Sequence, residues 1–163
     1  MKIFVAGILL LSLIGCSSRP NVFSESLDER VRRLNEERAE LGSTTNPVNR
    51  TRTQIRISDL LVSFVGDAAD SGDVELIEER VGEYRATIID ARDTMVNSGR
   101  NAVDNASGYR ELEIALRQHI RQIDDIGTQL DFERRRPLEQ LMTEISEVRE
   151  EILDLLFPEQ DAI

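Results

Sequence analysis

Residues 74–95, VELIEERVGEYRATIIDARDTM, decide the fold. Val74, Ile77, Val81, Tyr84, Ile88, Ala91 and Met95 follow one another at alternating steps of three and four, the heptad seam by which one helix packs against others. The same register resumes in residues 109–130, YRELEIALRQHIRQIDDIGTQL, at Tyr109, Leu112, Leu116, His119, Ile123, Ile126 and Leu130. Between the two runs, Asn97-Ser98-Gly99 and Asn105-Ala106-Ser107-Gly108 interrupt good helix formers with turn residues. We read the interval as the bend of a hairpin; the alternative is one helix of about sixty residues, roughly 90 Å long at 1.5 Å per residue.

The pattern extends in both directions. Downstream, Pro137 suits the first turn of a last helix, where its missing amide costs nothing. Leu138, Leu141, Ile145, Val148, Ile152 and Leu155 form the seam of that helix, and Phe157-Pro158 ends it. Upstream, Asp70-Ser71-Gly72-Asp73 is a turn. The helix before it carries Ile57, Leu61, Phe64, Val65 and Ala68 on one face and Leu60 and Val62 off it, so it is expected at the centre. Thr51-Arg52-Thr53-Gln54 is a capping-box candidate for its start, after a loop through Asn46-Pro47. A first helix opens with the capping box Ser26-Leu27-Asp28-Glu29, carries a thin stripe of Leu27, Val31, Leu34 and Leu41, and stops at Gly42. Strand-type alternation is absent from the sequence. The expectation is an all-α protein, an antiparallel helical bundle or helical-hairpin array with coiled-coil-like heptad seams, over residues 26–158.

The N-terminus has a different logic. Lys2 is followed by the apolar run Ile3 to Leu11 and then Ser12-Leu13-Ile14-Gly15-Cys16, the order of a charged region, an apolar region and a cleavage site. The run is shorter than the roughly 20 residues that cross a bilayer. Leu13-Ile14-Gly15-Cys16 resembles the lipobox of bacterial lipoproteins. The resemblance covers residues 1–18 and implies acylation of the Cys16 thiol and cleavage before it. Residues 1–15 are then a signal peptide, 16–25 the lipidated cysteine and a polar tether, and 159–163 a C-terminal tail. Cys16 is the single cysteine, so an internal disulfide is excluded. Ser17, a non-acidic neighbour, resembles the sorting signal for the outer membrane where a cell has one.

Without Lys2 the chain keeps 31 acidic and 19 basic residues, a net charge of −12, and every basic residue is arginine. That balance argues against nucleic-acid binding, which rests on cations neutralising phosphates. It also argues against attraction to anionic lipid headgroups. The membrane is therefore expected to be held through the Cys16 acyl chains, at about 0.8 kcal/mol per buried methylene.

Few side chains promise chemistry. His119, the only histidine, has an ordinary pKa suited to a general base or metal ligand. The competing reading is a core histidine bonded to a neighbour, since the sequence has no repeated Glu-x-x-His and no His-Glu-x-x-His. Glu79, Glu83, Asp90 and Asp93 make an acidic strip, either a docking face for a basic partner or a solvated outer face. Arg134-Arg135-Arg136 is the best ligand candidate, able to hold phosphate or carboxylate by bidentate contacts. Its alternative role is to complement a helix C-terminus ahead of Pro137. No Gly-x-Ser-x-Gly turn or phosphate-cradling glycine loop occurs, so neither an enzyme nor a cofactor is expected. The sequence reads as an envelope lipoprotein acting through another envelope protein, with ligand binding at His119 or at Arg134, Arg135 and Arg136 as the alternative.

Overall fold

The computed structural model describes residues 25–158, which form five helices and no strand: α1 Leu27–Ser43, α2 Pro47–Ser71, α3 Val74–Val96, α4 Tyr109–Gly127 and α5 Phe132–Leu156. The expected signal peptide, lipobox and Cys16 lie outside the described residues, as do the tether before Glu25 and the tail at 159–163.

Capping chemistry fixes the helix starts. The Ser26 hydroxyl accepts the Glu29 amide at 3.3 Å, as the capping box predicts. α2 does not start at Thr51. Asn46 caps it by accepting the Asn49 amide at 3.1 Å, and Pro47 takes the first position, where its fixed φ is already helical. Thr51 and Gln54 are buried inside the helix instead. Likewise α5 starts five residues before Pro137, because the Asp131 carboxylate accepts the Arg134 amide at 3.1 Å and caps an earlier turn. Pro137 is then inside the helix, one backbone bond is forgone, and its ring is buried beside Leu138 and Leu141.

Side-chain bonds between helices give the topology. α2 and α3 run antiparallel through the left-handed turn at Gly72, with Arg50 and Gln54 of α2 reaching Asp90 of α3. α4 and α5 run antiparallel, joined by Arg149 to Glu113 at 2.8 Å. The two hairpins lie side by side in the same orientation. Arg52 and Asp59 of α2 bond Glu111 and His119 of α4, while Arg85 and Arg92 of α3 bond Glu144 and Glu151 of α5. α1 lies along the outer side of α2, antiparallel to it, tied by Arg30–Asp67 and by Arg56 to Glu37 and Glu40. The protein is an all-α bundle built as a hairpin array.

The interval 97–108 is a turn, not the middle of one long helix. Gly108 adopts φ +90°, and the Tyr109 hydroxyl donates back to the Met95 carbonyl at 2.9 Å. The hairpin expected around this bend is corrected in one respect. α3 and α4 face each other across the bundle's diagonal, and each packs chiefly against α2 and α5.

Most residues of the expected seams are buried, Leu41, Ile126, Leu130 and Val148 only partly. Ile77, Val81, Tyr84, Ile88, Ala91 and Met95 are buried, but Val74 sits at the rim. Leu156 replaces Leu155 at the end of α5. On α1, Leu27 and Val31 face solvent, and Arg30 is buried with Leu34. The Arg30 guanidinium outcompetes a leucine for that position: it bonds Ser63 at 3.0 Å and Asp67 at 2.8 Å and lies 5.3 Å over the Phe64 ring. α2 is buried on all sides from Leu60 to Val65, the central position expected of it.

Candidate functional site

His119 lies wholly inside the bundle, on the diagonal between α3 and α4. Its Nε2 is 2.8 Å from the Asp59 carboxylate of α2, and its Nδ1 is 2.9 Å from the Tyr84 hydroxyl of α3. The Tyr84 ring meets the imidazole edge-on, with centroids 5.5 Å apart. Burial, then the Asp59 charge, hold the Tyr84 phenol well above its usual pKa, so it keeps its proton. That hydroxyl has one place to donate, His119 Nδ1. With Tyr84 as donor to Nδ1, Nε2 carries the proton that faces the Asp59 carboxylate. Both ring nitrogens are consumed, and three helices are tied by one side chain.

Asp59 and Tyr84 escaped notice as a unit because they sit 60 and 35 residues from the histidine. Asp59 did carry a signal: it is a carboxylate within Ile57-Ser58-Asp59-Leu60-Leu61, immediately before the apolar run Leu60 to Val62. A carboxylate in such a place needs a partner.

The structure separates the three arginines. They occupy the first turns of α5, so they do not complement the C-terminus of their own helix. The cap bond of Asp131 places them after a helix start instead. Arg134 turns toward the α2–α3 hairpin, its guanidinium in contact with Gly72, where a β-carbon would lie 3.1 Å from Nη1. There it faces the C-terminal end of α2 and lines a cleft of about 680 Å³ with Asp67, Asp70 and Gln129. Arg135 pairs with Glu139 at 3.0 Å and Asp124 at 3.7 Å. Arg136 is exposed on another side, in a groove with Glu78 and Glu133.

The acidic strip is occupied by arginines. Glu79 and Glu83 pair with Arg80, Asp93 with Arg92, and Asp90 with Arg50. Opposite it, α3 and α5 enclose a groove of about 300 Å³. Its walls are Ile88, Ile89, Ile145 and Val148, and the Arg85–Glu144 and Arg92–Glu151 pairs bridge it.

Among the described residues no group of three or more His, Cys, Asp or Glu side chains is placed to hold a metal ion, and no helix is long and apolar enough to cross a membrane. No protein-family model matches the chain, and no curated protein or solved structure is significantly similar to it.

Proposed function

We propose that this chain is a lipid-anchored protein of the bacterial cell envelope whose helical array is a non-enzymatic interaction module, held by acyl chains on Cys16 at the periplasmic face of the outer membrane where one is present. The observation that carries the reading is the use made of His119. The one side chain suited to acid-base work near neutrality is spent on tying α2, α3 and α4 together. What remains on the surface is helix faces, and the α3–α5 groove with its apolar floor and paired charges is the one best suited to a helix or an extended segment of another envelope protein.

Photo-crosslinking in living cells tests it. A crosslinker at Ile89 should yield a discrete adduct with an envelope protein, and one at the exposed Glu150 should not. Equal, diffuse adducts from both would sink the interaction reading. A second reading is a small ligand held by Arg134 in the cleft it lines with Asp67 and Asp70. Arg134→Gln, but not Arg136→Gln, should then abolish salt-sensitive binding.

A further inference from the structure

α1, α3 and α5 point the same way, so their first turns share one end of the bundle. Each opens on a polar cap, a large apolar residue and an acid: Ser26-Leu27-Asp28, Asp73-Val74-Glu75 and Asp131-Phe132-Glu133. Cap and acid have local work, since the cap accepts a free amide and the acid offsets the helix dipole. The apolar residue between them has neither task. It is nonetheless exposed each time, Leu27 at 55%, Val74 at 38% and Phe132 at 81%.

The chain enters the bundle at this same end, through Glu25 and Ser26. The nine steps along the chain from Cys16 to Glu25 reach about 30 Å at full extension. α3 alone is about 35 Å long at 1.5 Å per residue. A lipid on Cys16 therefore holds the Leu27–Val74–Phe132 end within about 30 Å of the bilayer, too near for the bundle to stand on its opposite end, at Phe157.

We infer that this end rests on the bilayer surface, with Phe132 lodged at the boundary between headgroups and acyl chains. The inference rests on the lipid-anchor reading of Cys16. Asp28, Glu75 and Glu133 flank the three apolar residues, and Asp70, Asp73 and Asp131 at the same end offset Arg134, Arg135 and Arg136, so the surface they fit is zwitterionic and anionic headgroups repel it. An aromatic ring with aliphatic neighbours is suited to that boundary.

The chain has no tryptophan, so Phe132→Trp and Phe157→Trp each supply a single reporter at an exposed position. The full chain, made with its lipid, is reconstituted in phosphatidylcholine vesicles carrying brominated acyl chains. Emission from position 132 should shift to the blue and be quenched roughly twofold, and emission from position 157 should not change. Adding phosphatidylglycerol should reduce the quenching. Equal quenching at both positions, or none at 132 in vesicle-bound protein, overturns the inference. A blue shift at 132 that brominated lipid does not quench places protein there and overturns it too. If wild type sediments with vesicles no better than Cys16→Ser, the anchor reading itself falls and takes the inference with it.

Discussion

The Asp59 carboxylate and the His119 imidazole are 60 residues apart in sequence and 2.8 Å apart in space. Arg52–Glu111, Arg85–Glu144 and Arg92–Glu151 bridge the same two hairpins at separations of 59. An almost constant displacement thus lays α4–α5 beside α2–α3, and the bonds that fix it differ in kind. The arginine pairs are partly solvated and worth about 0.2–1 kcal/mol each, whereas the histidine is buried and both its nitrogens are committed.

His119→Gln should therefore fold but lose about 1–3 kcal/mol, because its amide has a donor and an acceptor but does not set them where the two ring nitrogens lie. His119→Asp should lose more, about 3–5 kcal/mol, by placing a second carboxylate beside Asp59 without a counter-charge. Urea melts of the fragment from Ser17 measure both. In cells, His119→Gln should complement a deletion. A variant that melts like wild type yet fails to complement would show that the imidazole has a chemical task.

Glycine replacements should divide by site. A β-carbon at Gly108 would meet Met95 Sδ at 2.5 Å and Cε at 2.7 Å, at a φ of +90° that alanine resists. Gly108→Ala should lose about 2 kcal/mol or more. Gly82, inside α3, has nothing within 4 Å of its β-position, and Gly82→Ala should gain about 0.5–1 kcal/mol. Thermal melts that rank the two variants the other way would contradict the turn at 97–108.

Acid should act partly through Glu111. Burial raises its pKa, but hydrogen bonds from Arg52 and the Gly108 amide, together with the Arg52 charge, outweigh burial and hold it below the usual 4.5. A depressed carboxyl contributes stability above its unfolded pKa and loses it as pH falls through the folded value. Between pH 5 and lower values, Glu111→Gln should flatten the fall in unfolding free energy. An unchanged slope would deny the carboxylate this role.

If Cys16 is the proposed anchor, Cys16→Ser should abolish incorporation of radiolabelled palmitate and release the protein from membranes, since it is the sole cysteine. Equal labelling of both forms would remove the anchor.

The seams of α3 and α4 were legible because apolar residues at steps of three and four have one economical explanation. α1 buries Arg30 beside Leu34 in place of Leu27 and Val31, which a hydropathy pattern misses because it treats arginine as outward, and Arg30 has Asp67, Ser63 and Phe64 waiting inside. The start of α5 was missed because Pro137 is a louder signal than the cap at Asp131, although a carboxylate bonded to the Arg134 amide begins the helix earlier. Of the site, His119 was visible as a seam residue. Its partners were not, since sequence spacing within one helix carries nothing about which neighbours lie beside it.

The place of α1 also determines how the module bears load. Tension arriving through the residues before Glu25 enters at the first turn of α1 and pulls along the helix axis. Because α1 lies antiparallel to α2 along its whole length, Arg30–Asp67 near one end and the Arg56 pairs with Glu37 and Glu40 near the other are strained together. The attachment is loaded in shear, so α1 resists detachment better under a pull along its axis than under one directed sideways, which would peel it from α2 one turn at a time.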